Sequence, residues 1–90
     1  MLLKKIILEN KEIGARFKFF RQVSGKTRAD FSRESGYPEE YILLIEKGKA
    51  SPYLSLIEYF CSHYGLNLRW LVTGKGKIFT GKDRYGKTKH

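Results

Sequence analysis

The segment from Thr27 to Lys49, TRADFSRESGYPEEYILLIEKGK, restricts the fold of this chain more than any other. Thr27 has the side chain of a helix N-cap, and Asp30, three residues on, is the matching capping-box partner. Phe31 is the apolar residue of the helix they open. Gly36 offers the permissive backbone that a sharp turn between helices needs. Tyr37 follows as a candidate for burial. Pro38 can begin a helix but not sit inside one. Ile42 and Ile45 continue an apolar face at a three-residue spacing, and Gly48 ends the run. The spacing predicts two short helices, at about 28–35 and 39–47, joined by a tight turn.

The flanking sequence predicts three further helices. Lys11 to Val23 places Ile13, Phe17 and Phe20 at i, i+4 and i+7, a core stripe, with Gly25 as the stop. Arg16, Lys18 and Arg21 are expected to point elsewhere, with Phe19 an apolar intruder among them. Asn10 is the expected N-cap of this helix, which puts a break there. Before it, Leu2, Leu3, Ile6 and Ile7 suit one side of a helix turn, and Ile6 to Leu8 suit a short strand. Ser51 and Pro52 read as a helix start, a hydroxyl cap followed by proline. From there to Tyr64, Leu54, Ile57, Cys61 and Tyr64 form the expected stripe, with Phe60 beside it. Gly65 ends it. Asn67 caps a last short helix, LRWLV, closed by Gly74, with Leu68 and Leu71 pointing one way and Trp70 between. The fold class is therefore all-α, a compact five-helix domain over 11–76. An N-terminal extension, 1–10, and a basic C-terminal tail, 77–90, flank it. Ile78 and Phe79 suit a brief strand. One option pairs residues 77–80 with 5–8 as a two-stranded ribbon, although such ribbons are marginal alone. From about Gly81 the composition predicts a mobile tail.

Ninety residues with a net charge of +9 have room for one small core. The charge is uneven. Residues 1–33 carry nine Lys/Arg against three Asp/Glu, a balance of +6; residues 34–74 carry three against five, −2; and residues 75–90 carry six against one, +5. Positive charge gathered at the two ends favours an anionic polymer as partner, most simply nucleic acid. The single cysteine, Cys61, has no internal disulfide partner and suits a reducing compartment. No apolar run reaches the length of a membrane span, and MLLKKIILEN lacks the uninterrupted apolar stretch and cleavage site of a signal peptide. A cytoplasmic protein is expected. Catalytic and cofactor signals are missing. Gly74-Lys75-Gly76 follows a helix instead of joining a strand to one, so it is no phosphate loop. Cys61 and His63 have no second cysteine or carboxylate cluster to complete a metal set, and His90 lies in the tail. Glu39 and Glu40 are neighbours on a helix and do not face each other as an acid/base pair would. Neither enzyme activity nor a cofactor is expected.

Taken together, these residues resemble the lambda-repressor-like, or Xre-type, helix-turn-helix family. The resemblance rests on Ile13-Gly14 with Arg16-Phe17 and Phe20-Arg21, Thr27 to Phe31, and Gly36. It continues through Ile42 and Ile45-Glu46-Lys47-Gly48-Lys49 to Ser51-Pro52 with Leu54, then Leu68-Arg69-Trp70-Leu71-Val72-Thr73-Gly74. It covers about residues 12–76, and the ending WLVTG is its most specific part. The resemblance implies a DNA-binding transcriptional regulator that acts on double-stranded DNA as a homodimer. The helix at 39–47 would lie in the major groove, with Glu39, Glu40, Leu43 and Leu44 at the base-facing positions. Arg16, Lys26, Arg28, Arg33, Lys47 and Lys49 are the candidates for phosphate contact.

The base-facing set departs from the family, which usually carries Gln, Ser, Arg, Asn or Lys there. Glutamate can accept from cytosine N4, and leucine can touch a thymine methyl. Equally, carboxylates in a first helical turn complement the helix dipole without reading anything. Leu43 and Leu44 suit burial, in the core or against a second copy. An acidic and apolar helix also suits a protein partner, including an antitoxin-like role, so a protein-interaction module on the same fold is the second expectation. A membrane-surface role for the N-terminal stretch is a poor third.

Overall fold

The computed structural model describes residues 2–81, with side chains described from Asn10 onward. The chain is all-α, as its sequence predicts. Its described helices are α1 (Leu2–Val23), α2 (Arg28–Ser35), α3 (Glu39–Glu46), α4 (Leu54–Tyr64) and α5 (Leu68–Thr73). The expected mobile tail lies outside the described residues. The chain groups into two units, one ending at Pro52 and the other beginning at Tyr53.

In the first unit, α1 differs from expectation at its start. It runs unbroken from Leu2 for 22 residues, so the break at Asn10 is not there. The Leu, Lys and Glu residues around Asn10 are good helix formers and carry the helix through it. The Asn10 side chain meets a distant partner instead of capping: its Oδ1 accepts from Ser51 Oγ at 2.9 Å. Ser51 is thereby corrected too, since its hydroxyl donates to α1 and caps nothing. Its carbonyl accepts from Tyr41 Oη at 2.6 Å.

Phe17 and Phe20 from α1, Phe31 from α2, and Ile42 and Ile45 from α3 are fully buried. The three rings sit 5.5–6.0 Å apart in tilted pairs, and such pairs contribute about 0.5–1.5 kcal/mol each beyond their burial. Ile13 is only half-buried. The backbones of α1 and α3 approach so closely that a Cβ on Gly14 would lie 2.0 Å from the Ile45 carbonyl oxygen. Just beyond α3 a Cβ on Gly48 would lie 2.7 Å from Lys11 Cα. Only glycine fits at either position.

Arg21 is the main correction in this unit. It was expected to face away from the core, and it is buried. Its Nε donates to Glu46 Oε2 at 2.6 Å and its Nη2 to Glu46 Oε1 at 3.1 Å. Its Nη1 donates to the Lys26 carbonyl at 2.9 Å. Arg28 Nη1 reaches the same Glu46 Oε1 at 3.2 Å. One carboxylate on α3 thus holds α1 and the start of α2 together.

The capping box is present: Thr27 Oγ1 accepts from the Asp30 N–H at 3.0 Å, and Asp30 Oδ2 accepts from the Thr27 N–H at 2.9 Å. Gly36 stands at φ 85°, the left-handed conformation the turn requires. Pro38 is the N-cap of α3, and Lys47 is its C-cap, within a residue of the predicted end.

The second unit corrects four expectations. Helix α4 starts at Leu54 behind Tyr53, later than Ser51-Pro52 suggests, and has no side-chain cap. Its buried face is Leu56, Ile57 and Phe60, while Leu54 is exposed and Cys61 and Tyr64 are half-buried. In α5, Trp70 and Leu71 are buried and Leu68 is exposed. Asn67 caps α5 as predicted, its side chain accepting from the Arg69 N–H at 3.1 Å. Residues 77–80 do not pair with 5–8, which are helical. They run beside the link between α4 and α5. Asn67 N donates to Ile78 O at 2.7 Å and Thr80 N to Gly65 O at 2.9 Å, around a single antiparallel bridge from Leu66 to Phe79. Among the described residues no strand forms beyond that bridge.

Three consequences are measurable. Glu46→Ala strands the buried Arg21 guanidinium and should destabilise the fold by about 3–5 kcal/mol in denaturant melts, whereas the paired change Arg21→Met with Glu46→Leu should be much milder. Equal losses in the two would show that burial of the charge is not what matters. Gly14→Ala, which ordinarily strengthens a helix interior by about 1 kcal/mol, should here destabilise, because the new methyl meets the backbone of α3. The third concerns acid. Thr27's backbone N–H, then its hydroxyl, then Arg33 hold the Asp30 carboxylate below its ordinary 3.8. A depressed folded value means that this contribution is complete above 3.8 and is lost as pH falls through the folded value. Thermal melts of Asp30→Asn should therefore show a flatter loss of stability with acid than the parent chain, and superimposable acid limbs would refute this.

Candidate nucleic-acid interface

Helices α2 and α3, joined through the Gly36 turn, carry most of the candidate site residues. Local chemistry sets their order. The Thr27–Asp30 box fixes where α2 begins, and the left-handed Gly36 ends it after Ser35. Tyr37 and Tyr41 then pack ring against ring at 5.6 Å, bracing the start of α3. From there α3 is asymmetric. Its last residue, Glu46, is buried and bonded to two arginines. Its first two, Glu39 and Glu40, are exposed and lie in the first turn, where negative charge suits the helix dipole. Leu43 and Leu44 are both half-buried, between the buried Ile42 and Ile45.

The six basic candidates fall into different settings. Lys26 Nζ lies 3.1 Å from Glu34 Oε2. Arg33 Nη2 lies 2.6 Å from Asp30 Oδ1, on a side chain 70% exposed; a pair that open contributes little stability. Arg28, the first residue of α2, reaches Glu46 with a side chain 36% exposed. Arg16 is half-buried on α1. Lys47 and Lys49 are exposed on either side of Gly48. The close approach at Gly48 brings them beside exposed Lys11, which sequence inspection alone did not single out.

Two more residues escaped that inspection, Arg21 and Glu46. A signal for both was present. Arg21 lies at i+4 from Phe17 and Glu46 at i+4 from Ile42, so helical periodicity puts each charge on its helix's buried face. Opposite charges on two buried faces are expected to meet.

Elsewhere the described residues offer little chemistry. Burial pushes the Cys61 thiol above its ordinary value, with Glu58 adding to the effect, the reverse of an activated thiolate. His63 stacks on Tyr59 at 4.1 Å, and its Nδ1 lies 2.9 Å from the Tyr59 carbonyl oxygen. Among the described residues no three His, Cys, Asp or Glu side chains gather as a metal site would need, and no pocket opens. No described helix is long and apolar enough to cross a membrane.

No curated protein and no solved structure matches the chain. A family model described as a helix-turn-helix domain matches residues 12–71. That match runs from α1 through α2 and α3 into α5, and the chain belongs to the helix-turn-helix domain family.

Proposed function

We propose that the protein is a DNA-binding transcriptional regulator of the lambda-repressor-like, Xre type, working in the cytoplasm as a homodimer. The observation that carries this reading is the asymmetry of α3, whose end is tied down by Glu46 while Glu39 and Glu40 in its first turn stand exposed. In the proposed complex α3 enters the major groove with that first turn leading. Glu39 and Glu40 accept from cytosine amino groups, and Leu43 and Leu44 offer contact to thymine methyls. Arg16, Lys26, Arg28, Arg33, Lys47 and Lys49 meet phosphates, which supply affinity and register without sequence choice. The positive balance on both sides of the acidic middle supports this assignment. A second copy would let two α3 helices address the two halves of a symmetric operator. No catalytic step belongs to this role.

A second reading keeps the fold and turns α3 to a protein partner, as an antitoxin does. The exposed carboxylates and half-buried leucines of α3 favour it.

Titration of a labelled duplex from the native upstream region separates the two. On the DNA reading, log affinity falls with log salt by roughly 0.9 for each phosphate neutralised. Lys49→Ala should weaken all duplexes alike, and Glu40→Gln should change which duplex is preferred. Absence of binding to any duplex at low ionic strength would sink this reading. If Leu43→Lys strengthens DNA binding and abolishes capture of a protein partner, the second reading replaces it.

A further inference from the structure

The Glu46 carboxylate is almost sealed, its side chain 2% exposed, and it accepts from two arginines. These arginines are not equivalent. Arg21 faces inward: Nε and Nη2 are on Glu46 and Nη1 is on the Lys26 carbonyl. Arg28 is half-turned to solvent, and among the described residues its Nη1 alone is engaged, leaving Nε and Nη2 with donors to offer. Two guanidinium charges face one carboxylate, so one positive charge remains unanswered there. Lys26 and Arg33 differ, because each is matched by a carboxylate of its own, Glu34 and Asp30. Arg28 is also the first residue of α2, whose N-terminus is already answered by the Thr27 cap and the Asp30 carboxylate, so the guanidinium is what this helix end has to offer an anion.

Resting on the DNA reading above, we propose that Arg28 is a two-sided clamp. One edge of its guanidinium is held by buried Glu46 while another grips a DNA phosphate, which makes Glu46 a positioning residue for the contact. The planar fork suits this, since its donors diverge at fixed angles and one group serves two oxyanions at once. A lysine ammonium carries the same charge on a flexible stem and does not hold both with that geometry. Pairing with Glu46 also removes rotamer freedom from Arg28 before DNA arrives, so less is lost on binding.

The test compares charge with geometry. A labelled mixed-sequence duplex is titrated with the full chain, Arg28→Lys and Arg28→Ala, across a salt series and below each melting midpoint. The clamp predicts that Arg28→Lys loses nearly as much affinity as Arg28→Ala, roughly tenfold or more. In a Glu46→Gln background the further change Arg28→Lys should cause no additional loss, because the anchor is already gone. Three results overturn the clamp: Arg28→Lys binding like the parent chain, Arg28→Ala having no effect, or Arg28→Lys losing the same factor in both backgrounds. A parent chain that binds no duplex overturns the DNA reading itself and the clamp with it, an outcome distinct from those three.

Discussion

The first unit depends on one buried carboxylate. Glu46 closes α3 and draws in Arg21 from α1 and Arg28 from α2. Burying such a group is unfavourable unless its oxygens are satisfied, and two well-packed apolar side chains would often give equal or greater stability. What an ion pair adds is direction. Bonds of 2.6–3.2 Å to three nitrogens admit one relative placement of the helix ends, whereas apolar contacts tolerate sliding. The charge sits at the end of α3 away from its exposed first turn, so it orients the helix without obstructing that turn.

Two other features make the placement possible. The first is close backbone approach. Gly14 and Gly48 remove the Cβ atoms that would hold α1 and α3 apart, and Ser51 bonded to Asn10 fixes the chain after α3 on α1. The second is the cluster of Phe17, Phe20 and Phe31, whose rigid rings pack α1 against α2. Polar groups of this kind are stabilising only where their surroundings keep them in position.

Much of this was legible in the sequence, and the part that was not has a physical pattern. The Thr27–Asp30 box, the Gly36 turn, the Asn67 cap and the ends at Ser35 and Gly74 involve partners within four residues, so their chemistry is written locally. The failures involve distant partners. Asn10 and Ser51 both look like caps, and each is a good one in isolation, yet they bond to each other across the first unit. Residues 77–80 found their partners at 65–67, a choice no local propensity ranks against 5–8. In α4 the difficulty is different. Its sequence LSLIEYFCSHY is apolar on more than one side, so periodicity alone does not choose between the face of Leu54 and Cys61 and the face of Leu56 and Phe60. Of the candidate site, the exposure of Glu39 and Glu40 followed from α3's register, but the pairing of Lys26, Arg28 and Arg33 with carboxylates did not.

That pairing changes how the net positive charge should be understood. Composition counts every lysine and arginine as available to an anionic partner, yet Lys26 and Arg33 are each matched by a carboxylate of their own, and Arg28 shares Glu46 with Arg21. A cation that must be shared with or released by its partner adds less attraction than an open one. On the proposed DNA reading, strong non-specific attraction would then come from Lys47, Lys49 and neighbouring Lys11, clustered where α1 and the end of α3 meet. The first turn of α3 works against them, since Glu39 and Glu40 repel phosphate unless a base supplies a donor. Opposed charges at the two ends of one short helix are a way to limit binding at wrong sequences, because the attraction is independent of sequence and the relief of the repulsion is not. Sequence choice in such a protein would depend less on how many basic residues it carries than on which of them its own carboxylates leave open.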